Sequence, residues 1–216
     1  MNTLWSKTST LKGVTIMSFW DKVAGIYDIT ESLNGKVYKA MLRGVRQIVP
    51  EGAKVLDCAA GTGELSIAAS EKAESVVCTD LSLAMLEQAR KKCVKLGIEN
   101  IRFEERDIFH MSDKDETYDI VMAGNVLHLI DNPEEAVKEL YRVTKKGGKL
   151  ILPTFVYKGK WTNAVINVYK KFGFNPTSEF TAESYSKMLN GCGLGPVKVT
   201  FVDGLIPLAF GVMKKI

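Results

Sequence analysis

The sequence has few cysteines, and none of them stands in a C-x-x-C pair. The four are scattered along the chain as Cys58, Cys78, Cys93 and Cys192. This spacing gives no support to a zinc-ribbon or thioredoxin-like site, and we expect no metal site. Cys58 and Cys78 fall in apolar runs, where buried, reduced thiols are expected. Because reduced thiols are typical of the cytoplasm, a cytoplasmic protein is predicted.

Long apolar runs and long basic runs are also missing. No stretch approaches the roughly 20 apolar residues of a membrane-spanning helix. The first residues do not form the apolar segment and cleavage site of a secretory signal. The net charge is only +4, and the lysines come as separate pairs rather than as one run interleaved with aromatic residues. That pattern is typical of a solvated surface, so a nucleic-acid partner is not expected.

The chain length of 216 residues is sufficient for one domain with a substantial apolar core. Residues 1–17 are polar and aperiodic, and we interpret them as a flexible arm or a non-native start. Residues 18–50 are predicted to form an N-terminal helical cap of two helices, broken near Gly35, because a capping-box pattern precedes apolar residues at helical spacing. Residues 51–216 are expected to form the core, with a lid for the acceptor near 155–180, where aromatic residues cluster.

Short apolar runs alternate with amphipathic segments from Lys54 onward. The predicted strands are 55–56, 75–79, 101–105, 118–123, 149–152, 197–202 and 205–213. The predicted helices are 64–72, 82–96, 133–143, 161–172 and 182–190. This alternation indicates an α/β fold: a Rossmann-like, doubly wound, seven-stranded sheet, mostly parallel, with helices on both faces. Only Asp203 and Gly204 separate the last two strands, which predicts a tight hairpin and an antiparallel C-terminal strand.

The segment KVLDCAAGTGELS, residues 54–66, carries the strongest functional pattern. An apolar strand ends at Asp57, a turn of small residues contains Gly61 and Gly63, and a helix follows. In an open α/β sheet, ligands bind at the carboxyl ends of the strands, where the strand order reverses. Asp80 ends the next strand, at roughly the 20-residue separation expected of a carboxylate that binds ribose hydroxyls. Together these features predict a nucleoside ligand.

The charges around this loop favour S-adenosylmethionine (SAM) over a dinucleotide. Asp57 and Glu64 flank the loop with two carboxylates, which would repel a pyrophosphate and attract a ligand that carries an ammonium and a sulfonium. A dinucleotide fingerprint also requires Gly or Ala at the place of Ser66. SAM is therefore the predicted cofactor, with S-adenosylhomocysteine as its product. An NAD(P)-dependent oxidoreductase is an alternative against which these features argue.

The sequence resembles the class I SAM-dependent methyltransferases over about residues 18–152. DCAAGTG resembles their D-x-G-x-G-x-G loop, with Ala59 in place of the first glycine. CTDLSLAMLEQAR, ERDIFHMS and YDIVMAGNVLHLIDNPEEAVKELYRVTKKGGKLIL resemble later segments of the family. WDKVAGIYD resembles its N-terminal cap, which implies that Tyr27 closes over the cofactor. Within the family, the sequence looks most similar to the quinone-biosynthesis C-methyltransferases and related small-molecule methyltransferases.

The resemblance implies a set of cofactor contacts. Asp80 would bind the ribose, Leu81 and Met85 would line the adenine, Asp107 would bind its amino group, and Ile108 would pack against the ring. Asn125, at the end of the fourth strand, is expected to line the same pocket. The predicted cofactor site consists of Tyr27, Asp57, Ala59, Gly61, Gly63, Asp80, Leu81, Met85, Asp107, Ile108 and Asn125.

His128 follows the fourth strand, whose end is expected to border the methyl group, and it is the candidate catalytic base. Because SAM carries its own leaving group, the protein is expected to align the acceptor for in-line SN2 transfer and to exclude water. A base is required only where the acceptor loses a proton.

The predicted acceptor is a small molecule, for which aromatic, quinone-like and lipid chemistry are all compatible. A macromolecular acceptor would need a basic groove or an added recognition domain, and neither is evident. A SAM-binding protein without catalysis stays open as an alternative. Contact with a membrane surface, the oligomeric state and the identity of the acceptor stay open as well.

Overall fold

The computed structural model of the protein describes residues 34–158 and 177–216. Within these ranges the helices are α1 (Gly35–Ile48), α2 (Glu64–Ser70), α3 (Leu83–Leu96), α4 (Pro133–Val143) and α5 (Ala182–Gly191). The strands are β1 (Lys54–Cys58), β2 (Ser75–Asp80), β3 (Ile101–Glu105), β4 (Tyr118–Met122), β5 (Thr144–Phe155), β6 (Val197–Val202) and β7 (Leu208–Lys214). The first helix of the predicted cap and the predicted helix 161–172 lie outside the described residues.

All seven strands belong to one sheet with the order β3-β2-β1-β4-β5-β7-β6. The pairs β1–β2, β1–β4, β2–β3 and β4–β5 are parallel. β7 runs antiparallel to both of its neighbours, β5 and β6. The predicted fold class is therefore confirmed, including its antiparallel strand. The strand order reverses between β1 and β4, so a crevice is expected at their carboxyl ends.

Successive residues of the central strands contribute to two apolar clusters, one on each face of the sheet. Val55 and Leu56 of β1 are both 0% exposed but belong to different clusters, as the alternation of side chains along a strand requires. Helix α1 adds Met41 to the cluster that contains Val55, while α4 adds Leu140 and α5 adds Tyr185 to the other. Burial on both faces explains the short continuous apolar runs of the central strands, such as residues 120–122 of β4.

Local capping signals account for the ends of the helices that the sequence predicts well. The Ser82 side chain accepts a hydrogen bond from the Met85 N–H at 3.2 Å and so begins α3. Gly97 ends the same helix with a φ of +67°. In α5, Thr181 and Ser184 form a reciprocal capping box. Each of these side chains satisfies a backbone group that the end of a helix would otherwise leave unpaired.

The strand predicted at 149–152 is longer than expected, because β5 begins at Thr144. Its pairing with β4 shifts between Thr144 and Lys149, so the intervening lysine–glycine segment is a bulge within the strand rather than a turn before it. Gly147 has a φ of +77° there, a conformation that favours glycine. An added Cβ at Gly148 would lie 2.7 Å from the carbonyl oxygen of Asp119. The bulge therefore depends on both glycines.

The predicted two-residue turn between the last strands is wrong, although the hairpin itself is present. Residues 203–207 separate β6 from β7. This longer loop packs on the first turn of α1, where Asn34 Nδ2 donates a hydrogen bond to the carbonyl oxygen of Ile206 at 2.7 Å. An added Cβ at Gly204 would overlap the Val37 side chain. Contact with a helix distant in sequence thus overrides the local turn pattern.

The Lys215 ammonium caps the carboxyl end of α4. Its Nζ donates to the carbonyl oxygens of Tyr141 and Arg142 at 3.0 and 3.2 Å, and the residue is only 8% exposed. Cations are favourable at this end of a helix because they satisfy its last carbonyl groups. We expect Lys215→Met to lower the free energy of unfolding by roughly 1.5–3 kcal/mol, the usual contribution of hydrogen bonds to a charged group. Urea denaturation measures the change.

Lys214→Met is the matched control for this prediction, because Lys214 is the adjacent residue and is exposed. The control should change the denaturation midpoint little. Equal midpoints for the two variants would show that the buried ammonium contributes nothing to stability.

Candidate cofactor site

The loop after β1 turns sharply through three residues with positive φ. Ala59, Gly61 and Gly63 have φ values of +50°, +54° and +81°. An added Cβ at Gly63 would lie 2.8 Å from the Cβ of Ala89, so glycine is required for α2 to begin this close to α3. At Gly61, by contrast, no described residue lies within 4 Å of the added atom. Toward the described part of the chain, the loop therefore presents backbone at Gly61 rather than a side chain.

The Asp57 carboxyl group lies at the end of β1 and is fully buried. Its Oδ2 accepts a hydrogen bond from Ser66 Oγ at 2.7 Å, whereas Oδ1 has no hydrogen-bond partner among the described residues. Burial raises the pKa of Asp57 to about 7, although the hydrogen bonds from Ser66 act in the opposite direction. A buried carboxylate oxygen without a partner is costly, so this position favours a ligand that donates hydrogen bonds or carries positive charge.

The structure changes the charge argument that the sequence suggested for this loop. Glu64 does not stand alone, because its Oε1 forms an ion pair with Lys92 Nζ at 2.5 Å. Of the two flanking carboxyl groups, Asp57 is therefore the one whose charge is not balanced by such a pair. Ser66, which departs from the dinucleotide fingerprint, has a definite part here: its hydroxyl donates to Asp57, as neither Gly nor Ala could.

The Asp80 carboxylate joins the end of β2 to this loop. Its Oδ2 accepts from the Gly61 N–H and its Oδ1 from the Ser82 N–H, both at 2.8 Å. An ionised carboxylate can accept about four hydrogen bonds, so this arrangement is compatible with ribose hydroxyls as further donors. Beside it, Leu81 is 36% exposed, whereas Met85 is buried at 2%.

Asp107 and Ile108 lie in the turn that follows β3. Asp107 Oδ1 accepts from the Phe109 N–H at 3.0 Å, and its Oδ2 lies 3.1 Å from His110 Nδ1. The N–H of Arg106 donates to the Asp80 carbonyl oxygen at 3.2 Å, so this turn adjoins the end of β2. Ile108 is 7% exposed and packs in the apolar core.

Arg142 of α4 holds the chain just beyond this turn. Its guanidinium donates to the carbonyl oxygens of Met111 and Asp113 at 3.1 and 2.8 Å. It also binds Glu139, whose carboxylate accepts from the Met111 N–H at 3.2 Å. These bonds raise the pKa of Arg142 above its ordinary value, with the hydrogen bond to Glu139 as the main cause. Although the segment lacks regular secondary structure, α4 thus fixes its path.

Asn125 shapes the loop at the carboxyl end of β4. Its φ is +54°, its N–H donates to the Pro153 carbonyl oxygen at 2.8 Å, and its Oδ1 accepts from the Phe155 N–H at 3.2 Å. Asparagine adopts this left-handed conformation more readily than most residues. Asn125 thereby ties the loop after β4 to β5.

A pocket lies at the carboxyl ends of β1 and β4. It brings together four of the predicted residues: Asp57, Ala59, Gly61 and Asn125. The pocket is lined by Tyr38, Met41, Asp57, Ala59, Ala60, Gly61, Thr62, Glu64, Leu65, Gly124 and Asn125.

Several lining residues are not among the predicted site residues. Tyr38 and Met41 belong to α1. The helical spacing of apolar residues there predicts which side chains are buried, but not that they line a ligand pocket. Gly124 precedes Asn125, and an added Cβ there would lie 2.6 Å from Leu65 Cδ1. Its place directly after an apolar strand is the signal that could have identified it. Of the remaining predicted residues, Tyr27 lies outside the described part of the chain.

His128 is buried behind the loop after β4 and does not line the pocket described above. Its Nδ1 lies 2.9 Å from Thr154 Oγ1, and burial lowers the pKa of the imidazole to about 4. The ring is therefore neutral at neutral pH. The backbone carbonyl oxygen of His128 accepts hydrogen bonds from the N–H groups of Thr177 and Ser178 at 2.9 and 3.1 Å.

Within residues 34–158 and 177–216, no three side chains of His, Cys, Asp or Glu come close enough to bind a metal ion together. In the same ranges, no helix has both the length and the apolar character needed to cross a membrane.

The fold and the site together define a class of protein. A mostly parallel sheet, a small-residue loop after β1 and a carboxylate at the end of β2 are the arrangement of α/β domains that bind a nucleoside at the point of strand reversal. At that loop, the carboxylate oxygen of Asp57 that no described residue satisfies favours a cationic group on the ligand.

Comparison with known proteins identifies the family. The family model described as a methyltransferase domain matches residues 55–148. Residues 55–148 are thus a methyltransferase domain, as the resemblance to the class I SAM-dependent methyltransferases predicts. SAM is the cofactor that such a domain implies.

Individual relatives agree with this family. A ubiquinone/menaquinone biosynthesis C-methyltransferase, UbiE, of Haemophilus ducreyi is 32% identical over 151 residues, which cover 65% of this chain and 57% of that protein. The protein of the same name from Pseudomonas fluorescens is 28% identical over 92% of this chain and 82% of its own length. The chain thus spans less than two thirds of the Haemophilus relative.

Solved structures show the same fold. A SAM-dependent methyltransferase of Thermotoga maritima superposes with a TM-score of 0.71 at 20% identity, covering 91% of this chain and 99% of that one.

Proposed function

We propose that the protein transfers the methyl group of SAM to a small, quinone-like acceptor by in-line SN2 displacement. The names of the two UbiE relatives support this acceptor class. The observation that carries the cofactor assignment is Asp57, whose buried Oδ1 lacks a partner among the described residues and whose side chain lines the pocket. The ammonium group of SAM supplies both the charge and the donors that this atom needs.

Different residues of the chain would bind different parts of the cofactor. Asp57 binds the ammonium, the backbone at Ala59, Gly61 and Gly63 allows close approach, and Asp80 accepts from the ribose hydroxyls. The adenine lies among Leu81, Met85, Asp107 and Ile108, with Asn125 and Tyr27 completing the site. When bound, SAM supplies an activated methyl group whose leaving group is a neutral thioether.

Helix α1 and the segment near 155–180 would orient the acceptor and exclude water. Tyr38 and Met41 of α1 line the pocket, which supports a cap over residues 18–50. The bonds from Thr177 and Ser178 to His128 support a lid that is anchored beside the loop after β4. A cytoplasmic location agrees with the free thiols of all four cysteines.

His128 would act as a general base for an acceptor that must lose a proton. Its neutral imidazole can accept one, and the contact with Thr154 fixes the ring. We expect His128→Gln to lower turnover of a quinol below the pKa of the quinol hydroxyl and to spare it above that pKa, where no base is needed. Equal losses at every pH, together with weaker SAM binding, would assign His128 a structural part instead.

Ligand-dependent thermal unfolding tests the cofactor assignment. SAM or S-adenosylhomocysteine at a hundred times its dissociation constant stabilises the folded state by about 2.7 kcal/mol. For a domain of this size, the unfolding midpoint should rise by roughly 5–10 °C. NAD and NADP should produce no shift, and a shift with either of them alone would replace the methyltransferase by an oxidoreductase.

Turnover then separates an enzyme from a protein that only binds SAM. Incubation with SAM and a short-chain, water-soluble quinol should produce S-adenosylhomocysteine and a methylated ring. Binding of SAM without turnover of any quinol or related aromatic acceptor would favour the non-catalytic alternative.

A further inference from the structure

Helix α1 presents three cations on the face opposite to its buried side. Lys36, Lys39 and Arg43 are exposed, and at about 100° per residue they fall within a narrow arc of the helix. The buried residues of α1 occupy the other side and pack in the core. We propose that this face, which we call the basic face, docks on the surface of an anionic lipid bilayer.

The charge of the basic face is not balanced within the described part of the protein. Helix α1 contains no acidic residue, and none of the three cations forms an ion pair or hydrogen bond with any described residue. In the same helix, by contrast, Arg46 binds Glu71 at 2.8 Å. The basic face thus combines three neighbouring cations with no neutralising carboxylate among the described residues, and an anionic partner complements it.

An exposed apolar residue lies next to the first turn of this helix. Leu205, which is 55% exposed, belongs to the loop between β6 and β7 that packs on Asn34 and Val37. Cations beside an exposed leucine are the combination found on helices that lie in a membrane interface, where the cations bind headgroups and the apolar side chain enters the acyl boundary. Nucleic-acid binding would not require the leucine.

The helix that carries the basic face also lines the pocket, which connects membrane docking with the supply of the acceptor. The same helix contributes Tyr38 and Met41 to the pocket lining. Contact of α1 with a bilayer would therefore place the helix that lines the pocket at the surface from which an apolar, quinone-like acceptor is drawn. This last step rests on the proposed function, whereas binding to the bilayer does not.

Vesicle sedimentation tests the docking surface with the entire 216-residue chain. We expect binding to vesicles of phosphatidylcholine and phosphatidylglycerol (3:1) and little binding to phosphatidylcholine alone. Each cation near an anionic surface contributes about fivefold to partitioning. Replacing all three by glutamine (Lys36→Gln, Lys39→Gln, Arg43→Gln) should therefore weaken binding roughly 100-fold, and 0.5 M salt should weaken the wild type strongly.

A second triple variant controls for net charge. Lys95→Gln, Lys146→Gln and Lys198→Gln remove the same charge from exposed positions elsewhere and should change binding little. Equal loss in both triple variants, or binding to neutral vesicles as strong as to anionic ones, would overturn the proposal. Tighter binding of an RNA duplex than of anionic vesicles would assign the basic face to nucleic acid instead.

The activity assay keeps the two proposals distinguishable. With the water-soluble quinol and no vesicles, the variant that lacks the basic face should turn over as the wild type does. Wild-type binding to anionic vesicles without any quinol turnover would remove the proposed acceptor and leave the docking surface standing.

Discussion

Replacing Asp57 with asparagine is expected to remove from the unliganded protein a loss of stability that otherwise develops as the pH rises from about 4 to 7. The carboxyl of Asp57 has a pKa raised by burial from 3.8 to about 7 in the folded chain. A raised pKa stabilises the folded state fully below the unfolded pKa, and this stabilisation is lost as the pH rises through the folded pKa. For a shift of about 3 units the loss is roughly 4 kcal/mol. Asparagine does not titrate, so Asp57→Asn should be the more stable protein above pH 7.

Urea denaturation of both proteins across this range measures the difference. The asparagine amide retains an oxygen that can accept from Ser66, so the packing of the loop is preserved and the comparison isolates the charge. Parallel pH profiles for the two proteins would show that Asp57 does not titrate near neutral pH.

Asp57→Asn should weaken the binding of SAM, although it stabilises the unliganded protein. If the carboxylate binds the SAM ammonium, the affinity of the wild type for SAM rises with pH as Asp57 ionises, by up to tenfold per unit below its pKa. The variant should bind SAM weakly and without this pH dependence. A protein that gains stability while losing its ligand would show that the buried charge is retained for binding.

Replacing Asp80 with alanine is expected to weaken SAM binding by at least about 100-fold, because each lost hydrogen bond to a charged group costs roughly 1.5–3 kcal/mol. Two ribose hydroxyls lose their acceptor, and the N–H groups of Gly61 and Ser82 lose theirs. The loop after β1 should therefore also become less ordered. Isothermal titration with S-adenosylhomocysteine measures the affinity directly.

Glu105→Ala is the matched control for Asp80. Glu105 is the exposed carboxylate that pairs in register with Asp80 on the neighbouring strand, so its removal changes the local charge equally. Its substitution should leave the affinity within about twofold, as is usual for exposed charges. Similar losses in both variants would mean that Asp80 acts through the general electrostatic field rather than through contact with the ribose.

The predictions from sequence succeed where a pattern is local and continuous. The strand 101–105 and the helix 133–143 have the predicted bounds, because the alternation of Ile101 and Phe103 with charged residues and a proline at the first turn are recognisable without the rest of the fold. The loop between β6 and β7 fails for the opposite reason. Its length is set by contact with Asn34 and Val37, which lie far away in the sequence.

The site was predictable in outline but not in its electrostatics. The positions of Asp57 and Asp80 at the ends of neighbouring strands follow from the strand–loop–helix pattern. The partner of Glu64 is Lys92, 28 residues further along, and no sequence pattern links the two. Nor does the sequence show that only one oxygen of Asp57 would be satisfied. Such facts depend on tertiary packing, which brings the beginning of α2 against α3.

The place of β7 in the sheet has a consequence for the order in which the protein can assemble on the ribosome. β7 follows β6 in the chain but lies between β5 and β6, so β6 has no neighbour to pair with until β7 has been synthesised. Until then the nascent chain carries an open β5 edge, the kind of surface that templates aggregation. β7 therefore completes the sheet late and in one step, because it must pair with β5 and β6 at the same time.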